Sequence, residues 1–171
     1  MTAALLRPGA LDGRAVRAGG VYAAACAAAG ATIAGPRSGR ERIDVLVVDA
    51  AVPFGDGGLR GVRAALDGAW REVLAVAAGG WLVEDGAAAG KLVLVAPRSG
   101  ADADAGEHAA AAAAGLENLA RTLAVEWARF GVRATAVVPG PRTSDDGVAQ
   151  LVAFLASAAG EYFSGCRFDL R

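Results

Sequence analysis

The stretch that decides the fold is residues 119–140, LARTLAVEWARFGVRATAVVPG. Within it Leu119, Leu123 and Trp127 recur every four residues, which is the spacing of one apolar helix face. Gly131 ends this helix as a C-cap residue would, and residues 132–138 favour a β-strand. A helix that leads straight into a strand is typical of chains in which α and β elements alternate.

The same alternation continues on both sides of this stretch. Residues 43–48 and 91–95 are short apolar runs rich in Val, Ile and Leu, which predict strands buried on both faces. Residues 59–74 carry an apolar stripe at helical spacing, and residues 107–129 predict a long Ala-rich helix. Residues 145–170 predict a last helix and a last strand. We therefore expect an α/β fold with a doubly wound parallel sheet.

Composition and charge narrow the class of protein. The chain has 171 residues, 54% of them hydrophobic and 20% charged, which suits one domain with one core. The formal charge of −1 provides no basic field, so nucleic acid and anionic membranes are not expected partners. Residues 19–36 are too poor in large apolar side chains for a membrane span, and we find no secretion signal. We expect a cytoplasmic protein in which Cys26 and Cys166 do not pair and are buried thiols.

These motifs resemble those of the short-chain dehydrogenases/reductases. Residues 119–140 are similar to the family's long interface helix, its sixth strand and the Pro-Gly turn that follows. Residues 152–165 are similar to its last helix and strand. Residues 43–51 match the strand that ends Asn-Asn-Ala-Gly in the family and ends Val-Asp-Ala-Ala here. The resemblance covers about residues 43–170, and it implies a Rossmann-like sheet and a family of NAD(P)-dependent oxidoreductases.

The resemblance also implies four catalytic side chains, and this sequence has none of them in place. The family's Tyr and the Lys four residues later fall on Ala109 and Ala113. Its Ser falls on Ala96 or Pro97, and its Asn falls on Ala77. Because alanine and proline side chains have no titratable atom, these positions cannot transfer a proton. We expect no useful dehydrogenase rate.

The family's glycine-rich turn, Thr-Gly-x-x-x-Gly-x-Gly, is also degenerate. One alignment places it on residues 12–19, where only Gly13 and Gly19 match. Another treats residues 5–16 as a leader, with the first strand and the turn deleted. Both alignments weaken the backbone site at which a helix N-terminus would bind a pyrophosphate.

Only nine residues separate Ile33 from Ile43, where the family has two helices and a strand that build the adenosine pocket. We therefore expect a shortened sheet that lacks the β2–β3 region of the family, and we expect no cofactor. Pro139, Gly140 and Thr143 follow the sixth strand, where the family contacts the nicotinamide, and are weak candidates for cofactor contacts.

Polar residues near the vacant Tyr position give no clear alternative site. Asp102, Asp104, Glu107 and His108 match no metal motif, so we expect no metal and a solvated His108 near a helix start. Ser144, with its neighbour Thr143, is expected to form the N-cap region of the following helix.

We expect one domain over residues 1–171, with a degenerate cofactor half at 1–42 and a retained core and oligomerisation half at 43–171. The predicted function is that of a catalytically inactive subunit that assembles with an active NAD(P)-dependent relative, or with itself. The expected interface residues are Leu116, Leu119, Leu123, Trp127 and Trp70. One alternative is a residual NAD(P)-dependent oxidoreductase that uses His108. Another is a non-catalytic small-molecule binding protein with a cleft near Arg98 and Pro139.

Overall fold

The strands predicted from short apolar runs lie side by side in one sheet. The computed structural model describes residues 6–35, 42–82, 90–98 and 103–170. In the last of these ranges, the side chains are described from residue 106 onward. The strands in these residues are β1 (Ala15–Arg17), β2 (Thr32–Ile33), β3 (Val45–Asp49), β4 (Lys91–Val95), β5 (Arg133–Pro139) and β6 (Cys166–Leu170). They are all parallel and lie in the order β2-β1-β3-β4-β5-β6, which confirms the predicted α/β fold.

Helices cover both faces of this sheet. They are α1 (Gly20–Ala28), α2 (Ala51–Phe54), α3 (Gly58–Val76), α4 (Ala103–Glu126) and α5 (Asp145–Ala156). α3 and α4 pack together on one face, and α1 and α5 pack together on the other. The sheet is therefore doubly wound. Short helical turns follow α3, α4 and α5 at Ala77–Trp81, Ala128–Phe130 and Ala158–Tyr162.

The central strands are apolar on both sides because both sides are covered. In β3, Val45 and Val47 face the core under α1 and α5, whereas Leu46 and Val48 face the core under α3 and α4. Successive side chains of a strand point to opposite faces, so a strand between two helical layers needs a continuous apolar run. None of the helices in the described ranges has the length and apolarity needed to cross a membrane.

The predicted helix ends are confirmed. Gly131 closes the turn after α4 in the left-handed conformation, with φ of 75°. Ser144 is the N-cap of α5, and its Oγ accepts a hydrogen bond from the Gly147 N–H at 3.1 Å. Cys26 and Cys166 are both free, and Cys26 is buried as predicted, which raises the pKa of its thiol to about 11. Cys166 is only partly buried, so the prediction of a buried thiol is wrong there.

The N-terminal part of the fold differs in part from the prediction. Between α1 and β3 the described residues contain a single strand, β2, of two exposed residues, which agrees with the expected shortening of the sheet in this region. β1 begins at Ala15, which places Gly13 before the strand and not in a turn after it. The alignment of the glycine-rich turn on residues 12–19 is therefore wrong. β2 was missed because a pair of exposed residues carries no apolar run.

The expected interface residues need a correction as well. Leu116, Leu123 and Trp127 are buried in the chain's own core, and Leu119 packs against that core. These side chains therefore do not form a free surface. Trp70, at 42% exposed, does lie on the surface of α3.

Candidate functional site

The carboxyl ends of β1, β3, β4 and β5 meet at one edge of the sheet. In open parallel sheets this edge, near the point where the strand order reverses, is the usual place for a ligand. Here the reversal lies between β1 and β3, since β2 lies on one side of β1 and β3 on the other. The residues at this edge are Gly19 after β1, Asp49 at the end of β3, Arg98 after β4 and Gly140 after β5.

The turn from β1 to α1 is too short to be the family's phosphate loop. β1 ends at Arg17 and α1 begins at Gly20, so Ala18 and Gly19 alone join them. The family's turn has eight residues in its motif. Gly19 is the N-cap of α1 and offers no side chain to the helix terminus. Of the two predicted glycines, only Gly19 lies at the ligand edge.

Arg98 occupies the space beyond the end of β4. Its Nη1 donates to the carbonyl oxygens of Gly140 at 2.9 Å and Thr143 at 2.5 Å. Its Nη2 donates to Oδ1 of Asp145 at 2.6 Å. Because these acceptors lie in the loop after β5 and at the start of α5, the guanidinium fastens that loop to β4.

Thr143 is also committed to this loop. Its hydroxyl donates to the Leu170 carbonyl at 2.6 Å and accepts from the Gly140 N–H at 3.2 Å. Pro139 is buried and pairs with Leu170 in the sheet. The three weak candidates for cofactor contacts thus form one interlocked turn, which lies beside Arg98.

Two further residues at this edge were missed from the sequence. Tyr22, in the first turns of α1, is 8% exposed and senses the charges of Asp49, Arg98 and Asp145. Burial, reinforced by the negative charge of Asp49, raises the pKa of Tyr22 to about 12. Burial also raises the pKa of Asp49, although the hydrogen bond from the Ala51 N–H at 3.0 Å opposes the shift. A polar aromatic residue within an Ala-rich helix was the available signal for Tyr22.

This set of groups is poorly suited to proton transfer near neutral pH. A catalytic tyrosine needs a pKa brought down toward the working pH, and the pKa of Tyr22 moves the other way. The Arg98 cation is engaged by Asp145 and two carbonyl groups. At this edge the Tyr22 phenol therefore stays protonated near neutral pH, and the charge of Arg98 is balanced by Asp145. The two side chains do not form an acid–base pair.

The positions that match the family's catalytic residues are all buried. Ala77, Ala96, Ala109 and Ala113 belong to a single buried cluster between the sheet and the α3–α4 layer, and none is more than 3% exposed. Pro97 is also buried. The region in which the family's reactive side chains would lie is packed with small apolar groups.

The described residues contain no group of His, Cys, Asp and Glu side chains that could hold a metal ion. Glu107 is exposed, and His108 lies partly buried inside α4. Asp102 and the side chain of Asp104 lie outside the described residues.

A cleft of about 860 Å³ opens at this edge of the sheet beside β1 and β3, and Gly19 and Asp49 are among the residues that line it. Arg17, Ala34 and Asp49 form its floor, and Arg71 and Glu72 of α3 form part of its wall. The residues that line it do not include Arg98 or Pro139, where a cleft was expected.

Strand order, helical layers and the position of the ligand edge define the class: this is the fold of the short-chain dehydrogenases/reductases. The chain is similar to a citronellol catabolism dehydrogenase of Pseudomonas aeruginosa PAO1, with a TM-score of 0.74 and 21% identity over 98% of this chain and 97% of that one. It is also similar to a short chain dehydrogenase from Mycobacterium smegmatis, with a TM-score of 0.68 and 23% identity over 95% and 93% of the two chains. The predicted resemblance is confirmed.

A stretch of 45 residues is 49% identical to a probable 2,4-dienoyl-CoA reductase of Bacillus subtilis (strain 168). It spans 26% of this chain and 18% of that reductase, so this chain matches only a small part of its relative. No protein-family model matches the chain.

Proposed function

We propose that the chain is a catalytically inactive subunit with the short-chain dehydrogenase fold, and that it assembles with an active NAD(P)-dependent relative. The observation that carries this proposal is that Ala77, Ala96, Ala109 and Ala113, at the family's catalytic positions, are all buried in the core under α3 and α4. Removing one member of a cooperating catalytic set already abolishes most of the acceleration. Here every matching position has an apolar side chain and is buried.

The cofactor edge supports the same proposal. The two-residue turn between β1 and α1 offers few backbone N–H groups to a pyrophosphate. Arg98 holds the loop after β5 against β4, where the family contacts the nicotinamide. We therefore expect the isolated chain to bind no NAD(P).

The surface of α3 supports the assembly role. Leu59, Trp70 and Leu74 are exposed to 78%, 42% and 40%, and Val125 on the neighbouring α4 is exposed to 78%. These helices resemble the family's interface helices, and α4 exposes mainly small alanine side chains between its polar ones. Clustered exposed apolar side chains usually mark a contact with another protein. Trp70 therefore remains our interface candidate, and the buried leucines do not.

Coexpression with an intact short-chain dehydrogenase of the same host tests the proposal. Size-exclusion chromatography of the purified pair should show a mixed oligomer, and Trp70→Glu should dissociate it. Tyr162→Glu is the matched control, because Tyr162 is 94% exposed but lies on neither α3 nor α4. A mixed oligomer that survives Trp70→Glu, or that only Tyr162→Glu disrupts, would contradict the proposed surface.

The proposal competes with the two alternatives. The pKa of Tyr22 and the engagement of Arg98 both count against a residual oxidoreductase. Binding of a small molecule without chemistry is favoured by the cleft beside Arg17, which is compatible with an assembly role.

A further inference from the structure

The cleft beside β1 has the size of a small-molecule site. Its volume of about 860 Å³ falls within the range of roughly 300–1,000 Å³ found for ligand pockets. Small or apolar residues make up much of its lining, among them Ala34, Val52, Pro53 and Ala75. The cleft is therefore suited to the apolar body of a ligand.

Arg17 places an unsatisfied cation in this cleft. In β1 its neighbour Val16 faces the α1–α5 core, so the Arg17 side chain points to the opposite side, where the cleft lies. The Nε atom of Arg17 is buried and has no hydrogen-bond partner. Among the described residues, no carboxylate lies within 4.0 Å of its guanidinium. A carboxylate in the cleft would supply the counter-charge that this guanidinium lacks within 4.0 Å among the described residues.

A second cation lies at the wall of the cleft. The Nε of Arg71 donates to the Asp67 carbonyl at 3.1 Å, which holds the Arg71 side chain along α3. The cleft therefore offers two guanidinium groups to an anion, one on the strand and one on the helix.

Two carboxylates limit how much negative charge the cleft accepts. Glu72 and Asp49 both line it. Burial raises the pKa of Glu72, and the positive charge of Arg17 opposes that shift. A ligand with several negative charges, such as a nucleoside diphosphate, would be repelled by these acids. A ligand with one negative charge would not face the same penalty.

We propose that this cleft binds a small monocarboxylate with an apolar body, whose carboxylate pairs with Arg17 while its hydrocarbon part covers the Ala and Val lining. The proposal uses only residues of this chain, so it stands whether or not the chain assembles with a relative.

Isothermal titration calorimetry of the full chain with octanoate tests the proposal. Two partial probes accompany it: 1-octanol, which has the hydrocarbon chain without the carboxylate, and inorganic phosphate, which is an anion without a hydrocarbon chain. We expect octanoate to bind and to bind more tightly than either partial probe. Arg17→Gln should weaken octanoate binding at least about tenfold, since a hydrogen-bonded charge is removed. Arg63→Gln is the matched control and should leave the affinity unchanged, because Arg63 is 85% exposed and pairs with Asp67.

Gly68→Leu provides a second variant that should remain folded. A Cβ at Gly68 would lie 3.6 Å from Cγ of Pro53, an ordinary contact, and leucine favours a helix more than glycine does. The larger side chain should fill the cleft and abolish octanoate binding. The proposal would be overturned by absence of octanoate binding, by equal binding of octanol or phosphate, or by full affinity in Arg17→Gln or Gly68→Leu.

Discussion

Nη2 of Arg98 lies 2.6 Å from Oδ1 of Asp145, across 47 residues of sequence. With the two carbonyl oxygens that Nη1 reaches, this contact joins the end of β4, the loop after β5 and the start of α5. One arginine therefore connects three elements at this edge of the sheet.

Arg98→Gln should destabilise the fold by about 2 kcal/mol, because charge-assisted bonds to the Gly140 and Thr143 carbonyls are lost. Asp145→Asn should cost less than about 1 kcal/mol, since the Asp145 side chain is 75% exposed and solvent screens the pair. Urea unfolding of both variants measures the difference. A larger loss in Asp145→Asn would show that the ion pair, and not the carbonyl contacts, holds the loop.

Tyr162→Phe leaves Tyr22 as the sole tyrosine, since the sequence has two. Alkaline titration of phenolate absorbance should then give a midpoint near 12 in the folded protein, and near 10 in urea. The pKa is raised on folding, so the stability due to Tyr22 is present below pH 10 and is lost as the pH rises toward 12. Tyr22→Phe should remove this loss. A folded-state midpoint below 10 would instead favour the residual oxidoreductase.

Lys91 is 7% exposed, and its Nζ lies 3.0 Å from Oε1 of Glu161 and donates to the Ser157 carbonyl. Glu161→Gln should destabilise the fold by about 2 kcal/mol, because it leaves a buried ammonium without its counter-charge. Lys91→Met should cost less, since it removes the buried charge itself. Urea unfolding ranks the two variants, and the reverse order would contradict this explanation.

The same ion pair predicts a sensitivity to acid. Burial alone would raise the pKa of Glu161, but the hydrogen bond and charge of Lys91 outweigh it, and the pKa falls below 4.5. A depressed pKa stabilises the fold above pH 4.5, and the effect is lost as the pH falls through the lowered value. Urea unfolding of the native chain and of Glu161→Gln at a series of pH values measures this effect. The two free energies of unfolding should converge at pH values below the lowered pKa of Glu161. A difference between them that stays constant with pH would contradict the effect.

Gly90→Ala should destabilise the fold by about 2 kcal/mol through overpacking. A Cβ there would lie 2.3 Å from Cδ2 and Cε2 of the buried Trp81 ring. That ring is held by a hydrogen bond of 2.6 Å from its Nε1 to the Ile43 carbonyl, so it has little freedom to move. Gly79→Ala is the matched control, because nothing lies within 4 Å of its Cβ position. Equal melting temperatures of the two variants would count against this packing.

Much of the fold follows from local patterns. β4 has the predicted bounds, since a run of buried apolar residues leaves no other choice between two helical layers. Ser144 and Gly131 also act as predicted, because capping depends on neighbouring residues. β2 has two exposed residues and is a strand because it pairs with β1. The local sequence pattern does not predict that pairing.

The site was less accessible to sequence reasoning. The empty catalytic positions followed from the family resemblance, but the contacts of Arg98 join residues that are more than 40 positions apart. The interface prediction failed for Leu116, Leu123 and Trp127 because an apolar helix stripe packs first against the chain's own core. Trp70 lies on the neighbouring helix α3 and is exposed. Only the structure shows that it differs in this respect from the three buried residues.

Native mass spectrometry of the protein purified from its own host tests the proposed role most directly, because it identifies subunits and bound cofactors together. The proposal predicts a mixed oligomer with an intact short-chain dehydrogenase, in which only the intact subunit carries NAD(P). A homo-oligomer in which this chain binds its own NAD(P) would contradict the proposal.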